Sequence, residues 1–128
     1  MSIQQDVQAA FAAAVHSFNN YNLGILMDYV DAEATVFSVS GGIAYYTKHA
    51  VRAYFVQEFV DKPIFTPATY TPIVLVSPTG IGASITDHST WQDNKRAKYP
   101  MIYAFTFVYR PNNPSPTNNW LLSSMWGS

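Results

Sequence analysis

The chain has 128 residues, which suits one domain spanning 1–128, and it is 48% hydrophobic but only 12% charged, so it has the makings of a packed core and not of a disordered segment. A net charge of -1 supplies no basic stripe for nucleic acid, and the absence of cysteine excludes disulfides, thiolate chemistry and cysteine zinc sites. No apolar run reaches membrane-spanning length, and the opening "MSIQQDVQAAFAAAV" carries no Lys or Arg and does not resemble a signal peptide, so a soluble cytoplasmic protein with no membrane partner is expected.

Ile3, Val7, Phe11, Ala14 and Phe18 recur at spacings of three and four, which predicts a helix over 3–18 with Ser2 as its N-cap. "NNYN" (19–22) interrupts it, and a second, shorter helix is predicted over 23–30. "ATVFSVS" (34–40) is rich in β-formers and runs into Gly41-Gly42, after which "IAYYT" (43–47) completes a short hairpin. "KHAVRAYFVQEFV" (48–60) sets Val51, Tyr54, Phe55 and Phe59 along one side of a third helix, with Pro63 and Pro67 marking its exit. Strands are predicted at 69–76, 80–91, 98–110 and 119–126, separated by turns at 77–80, 93–96 and 111–119.

Helices followed by a run of antiparallel strands make an α+β domain. In the strand at 98–110, Met101, Tyr103, Phe105, Phe107 and Tyr109 form one apolar face, and Ile102, Ala104, Thr106 and Val108 the other. An antiparallel strand with one face in water alternates more cleanly than this. The second face is therefore expected to be covered by another subunit, giving a homodimer through the outside of the sheet.

The sharpest candidate for chemistry is Asp87, in "ITDHSTW" (85–91). In a strand it shares the face of Ile85 and Trp91. Desolvation there penalises the charged form and poises a carboxyl group for proton transfer. The plainer alternative is an Asp held by a hydroxyl or a backbone N–H near a strand end. His88 points the other way, and His16 and His49 stand alone on helices, so no metal spacing is present. One of Tyr45 and Tyr46 must face inward, where its hydroxyl can meet a ligand oxygen. Phe11, Phe37, Phe55, Ile85, Trp91, Tyr103 and Phe105 fall on the inward faces of these elements and are expected to line an apolar cavity.

The segments "VQAAFAAAVHSFNNYNLGILMDYVDAEATV" (7–36), "TKHAVRAYF" (47–55) and "WLLSSMWGS" (120–128) resemble the nuclear transport factor 2-like, or SnoaL-like, superfamily. The second is similar to a family segment written Gly-Arg-Glu-x-Ile, with Thr47 in place of Gly. The resemblance implies a cone-shaped, cystatin-like α+β barrel, in which a curved, mostly antiparallel sheet wraps three N-terminal helices around an apolar cavity. It covers isomerases, epoxide hydrolases, dehydratases, polyketide cyclases and non-catalytic modules. The roles carried over residue by residue are largely empty. The steroid-isomerase base falls on Ser38, its oxyanion tyrosine on Ala14 and its second acid near Phe105. The epoxide-hydrolase water site falls on Phe37 and Val39, its Arg–Asp pair on Ile85 and Asp87, and its last acid near Ser124 or Met125. The scytalone-dehydratase acid falls on Asn19. Only Asp87 matches, and an acid on a late strand suits the SnoaL-like cyclases best. Two functions follow: a cofactor-independent acid–base enzyme acting on a small hydrophobic or cyclic metabolite through Asp87, or a non-catalytic binding or dimerisation module with the same cavity.

Overall fold

The computed structural model describes residues 2–38, 43–113 and 119–128. Its first element, α1 (Ile3–Asn19), begins at a capping box. Ser2 Oγ accepts from the Gln5 N–H at 3.1 Å, and the Ser2 N–H donates to Gln5 Oε1 at 3.0 Å. The helix stops where Tyr21 takes a left-handed φ of 56° and the Asn22 N–H reaches back to the Ser17 carbonyl at 2.9 Å. Asn22 then caps α2 (Leu23–Asp28) by accepting from the Ile25 N–H at 3.1 Å.

That second helix is two residues shorter than its hydrophobic pattern predicts. Val30, fully buried, instead opens β1 (Val30–Ser38) and pairs in parallel with the last strand, where the Leu122 N–H donates to the Tyr29 carbonyl at 2.7 Å. β2 (Ile43–Tyr46) pairs antiparallel with β1 and leads directly into α3 (Thr47–Phe59).

A strand that the sequence reading passed over follows: β3 (Ile64–Pro67) pairs antiparallel with β5 (Gly82–Asp93) in the register Phe65↔Trp91. Pro67 is tolerated there because β3 is an edge. The strand predicted at 69–76 shrinks to β4 (Leu75–Val76). The residues before it pack onto α1 instead of pairing. Gln8 Nε2 donates to the Pro72 carbonyl at 2.8 Å, His16 stacks on Tyr70 at 4.8 Å, and Pro72 and Val74 are buried. β6 (Arg96–Tyr109) and β7 (Trp120–Gly127) complete the sheet.

Among the described residues, seven strands run in the order β2-β1-β7-β6-β5-β3, with β4 also on β5, and only the β1–β7 pairing is parallel. The curved sheet is open, so the expected barrel is corrected to a cone whose sheet does not close. Register shifts between Thr106 and Phe107 and between Trp91 and Asp93 supply bends. The inner face packs on α1 through Val7, Phe11, Ala14 and Phe18, and on α3 through Val51 and Phe55. At one end of the sheet Arg110 closes a two-pronged ion pair on buried Asp31, at 2.8 and 3.0 Å. The Arg110 hydrogen bond holds the Asp31 carboxyl below its usual range. Among the described residues, no helix is long and apolar enough to cross a membrane.

Candidate functional site

Where α1, α2 and α3 meet the concave face of the sheet, the packing leaves a cavity of about 340 Å³. Ala14 and Phe18 of α1 and Phe55 of α3 form one wall. Phe65, Trp91, Phe105 and Met125 of the sheet form the other. Phe18 holds the two together, its ring centroid 5.9 Å from Phe55 and 5.7 Å from Trp91. A volume of this size lies at the small end of ligand pockets, and the aromatic lining is what such pockets show.

The polar lining is concentrated where the C-terminal end of α3 meets the β5–β6 hairpin. Tyr54, Glu58 and Asp61 come from α3 and its exit, Asp93 and Lys95 from the hairpin, and Tyr99 from β6. A spacing of four puts Tyr54 and Glu58 on one side of α3, and Asp61 follows just past its end. The Asn94 N–H donates to the Asp61 carbonyl at 2.9 Å and Lys95 Nζ lies 3.3 Å from Asp61 Oδ2, so the hairpin is tied to the helix end. Asp93 accepts from Trp91 Nε1 at 3.1 Å and from the Lys95 N–H at 2.9 Å, which fixes the indole at the rim. Burial, with the Glu58 carboxylate and the Tyr45 and Tyr99 hydroxyls nearby, raises the Tyr54 hydroxyl far above the usual tyrosine range. Tyr54 therefore stays protonated and able to donate beside an acceptor-rich carboxylate.

The residues expected from the sequence divide three ways. Phe55, Trp91 and Phe105 line the cavity. Phe11, Ile85 and Tyr103 lie behind it in the packed core, each no more than 1% exposed. Tyr103 is stacked on Phe11 at 5.5 Å and backs directly onto Phe105 at 4.9 Å. Tyr45 is the inward member of its pair but stops against Tyr54, 5.0 Å away, while Tyr46 points out and is 61% exposed. The Phe37 side chain lies outside the described residues.

Asp87 does share the inward face of Ile85 and Trp91, and it is half-buried. It is not among the cavity-lining residues. It sits beyond the end of β3 and short of β4, and its carboxylate accepts from the backbone N–H of His88 at 2.8 Å. Its cross-strand neighbour is Tyr103, whose buried hydroxyl has no hydrogen-bond partner among the described residues and is raised by burial and by the Asp87 charge.

Glu58 and Tyr99 escaped the sequence reading, and Tyr54 was placed only on the apolar side of its helix. In "AYFVQEFV" (53–60) the apolar residues satisfy a core stripe by themselves, so Glu58, four residues after Tyr54, reads as the solvent side. Its spacing from Tyr54 is the signal that was there to be used. Among the described residues, no three His, Asp or Glu side chains cluster to hold a metal ion.

No protein-family profile and no curated protein matches this chain. Solved structures do. A nuclear transport factor 2-like superfamily protein from Salmonella enterica serovar Typhimurium superposes with a TM-score of 0.81 at 9% identity, over 98% of this chain and 89% of that one. A ketosteroid isomerase-like protein from Erwinia carotovora atroseptica gives 0.67 at 16% identity, over 97% and 93%. The epoxide hydrolase/cyclase-like enzyme SalBIII, with a role in pyran ring formation in the polyether salinomycin, gives 0.65 at 15% identity, over 96% and 89%. The chain thus has the nuclear transport factor 2-like, cystatin-like α+β fold. At these identities the likeness speaks for the fold alone, and function has to be argued from the site.

Proposed function

We propose that this protein binds a small hydrophobic or cyclic molecule in the cavity between its helices and its sheet. One observation carries the reading: a cavity of about 340 Å³ with aromatic walls and its polar groups gathered at one end. A ligand with an apolar body and a single polar end fits that division. The body displaces weakly held water from Phe18, Phe55, Trp91 and Phe105, and the polar end meets Tyr54, Glu58 and Tyr99. Similar folds whose names tie them to isomerase and cyclase chemistry support the same use of the cavity.

The test is a titration with N-phenylnaphthylamine, an uncharged dye that brightens in apolar surroundings, read also through the Trp91 and Trp126 emission. Saturable binding to one site is expected. Ala14 lines the cavity and is 4% exposed. Ala14→Phe places a ring in the empty space, so it should abolish dye binding without lowering the melting temperature. Unchanged binding in that variant would move the site elsewhere.

Acid–base turnover through Asp87 is the second reading, favoured by its placement across from the unpartnered Tyr103 hydroxyl. It requires the substrate to reach beyond Phe105, the lining residue next to Tyr103 on β6. Where turnover of a candidate metabolite is found, Asp87→Asn should abolish it and leave dye binding intact. Loss of turnover in Glu58→Gln alone would transfer the role to the cavity's own carboxylate.

A further inference from the structure

Gly127 leaves a space that one neighbouring side chain fills. Of the described glycines only Gly80 has a left-handed φ, so the backbone does not require a glycine at 127. Room does. Apart from the chain neighbours, a Cβ placed on Gly127 would meet one atom, the Met101 methyl Cε, and would meet it well inside van der Waals distance. Otherwise it would point into open space, and both Gly127 and Met101 line the cavity. The strand cannot shift to relieve such a clash. The Ile102 N–H donates to the Ser128 carbonyl at 2.8 Å and the Ser128 N–H to the Ile102 carbonyl at 2.9 Å, which fixes β7 to β6 beside the glycine. Gly127 pairs with Tyr103 and so shares the inner face with Met101, two residues earlier on β6. Along β6 the lining runs Tyr99, Met101, Phe105, with Tyr103 behind it in the core. Met101 therefore stands between the polar end of the cavity and its aromatic body. A methionine side chain is unbranched and fits itself to what it touches.

We propose that Met101, bedded on Gly127, is the specificity-determining wall of the cavity. Folded back over the glycine, it leaves room for a thick, non-planar ring beside the ligand's polar group. Swung forward, it closes on a flat one. This rests on the reading of the cavity as a ligand site. An alanine at 127 takes the bed and drives the methyl group into the cavity, where only a flat ring still fits. Truncating Met101 removes the obstruction whatever stands at 127. The effect of Gly127→Ala thus acts through Met101 and vanishes without it.

A cavity of about 150 Å³ takes one benzene ring, so the 340 Å³ here has room for two rings. The probes are 2-naphthol and decahydro-2-naphthol, which share a carbon skeleton and a hydroxyl and differ in thickness. Titration calorimetry should show that the wild type binds both. Gly127→Ala should weaken the decahydro compound by about tenfold or more, roughly the worth of two buried methylene groups, and 2-naphthol by less than about threefold. In a Met101→Ala background the same alanine should change neither. Should Gly127→Ala fail to fold, Met101→Ala decides by itself, because it should shift the ratio of the two affinities toward the decahydro compound. A wild type that binds only the flat probe, equal losses for both probes in Gly127→Ala, an undiminished loss in the Met101→Ala background, or a ratio unmoved by Met101→Ala would each overturn the inference and leave the cavity reading standing. If neither probe binds the wild type in the millimolar range or better, the cavity reading falls together with this one.

Discussion

Thr47 has a backbone φ of 73°, a left-handed conformation that a β-branched residue adopts only under constraint. Its side chain offsets part of the strain, because Oγ1 accepts from the Ala50 N–H at 3.3 Å and caps the first turn of α3. The left-handed conformation costs a side chain about 1–2 kcal/mol, whereas exchanging a Thr cap for Gly costs a few tenths. Thr47→Gly should therefore stabilise the protein by about 1 kcal/mol and raise the melting temperature by about 3–5 °C, readable by calorimetry. The similar segment in the superfamily has Gly at this place, and the geometry here supplies the reason. Asp31 argues in the opposite sense. Arg110 depresses its folded-state pKa below the unfolded value, so the pair's contribution is full above about pH 4 and is lost as pH falls through the lower folded value. Removing the guanidinium leaves a buried carboxylate without its main partner. Because Arg110 itself is 45% exposed, the loss should be smaller than for a fully buried pair. Urea melts of Arg110→Gln should show that loss at neutral pH and converge on the wild type in acid. Neither site was legible in the sequence. A positive φ leaves no mark in a Thr, and Asp31 and Arg110 meet only because the ends of β1 and β6 are brought together across β7.

Single elements show where periodicity suffices and where it fails. The Ser2 N-cap and apolar stripe of α1 have one reading, and the helix starts where they place it. β5, β6 and β7 are long and alternate, and they too fall where expected, within two residues at each end. β3 was hidden by its flanking prolines, since Pro63 and Pro67 read as a helix exit. What makes it a strand is long-range. Asn19, at the end of α1, accepts from the Phe65 N–H at 2.8 Å and donates Nδ2 to the Phe65 carbonyl at 2.8 Å. One amide side chain thus acts as a neighbouring strand for the open edge of β3 and ties it to the helix. Asn19→Ala removes both bonds and should cost about 2 kcal/mol, taking each at about 1 kcal/mol. Amide exchange should accelerate at Phe65 and along β3 while α1 stays protected. Asn19→Asp keeps the acceptor but turns a carboxylate toward the Phe65 carbonyl, and should be at least as damaging. Equal exchange rates in wild type and variants would show that β5 holds the strand unaided.

At the scale of the whole molecule, the inner face of the sheet is used for core and cavity, and the outer face is left to be explained. Along β5 it carries Ser84, Thr86, His88 and Thr90, along β6 Pro100, Ile102, Ala104, Thr106 and Val108, and on β2 the exposed Tyr46. Those positions hold no Asp, Glu, Lys or Arg. Ile102 is 44% exposed, and Leu75 of β4, paired with Ser84, is 68% exposed. A solvated sheet face in a monomer ordinarily carries charge, and a broad uncharged surface marks a contact with another protein. The chain carries few charges overall, so the discriminating feature is the continuity of this surface across the adjacent strands β4, β5 and β6. We propose that it is self-complementary and seats a second copy. Light scattering should then give twice the 14.3 kDa chain mass at tens of micromolar, a rough scale for weak association. Ala104→Glu puts a carboxylate in the middle of the face, and a two-fold axis there brings two of them together, at a cost of several kcal/mol. That variant should run as a folded monomer, with the cavity on the opposite face of the sheet still binding the naphthylamine dye. A wild-type protein that is already monomeric at that concentration would remove the dimer and leave the outer face without a partner of its own kind.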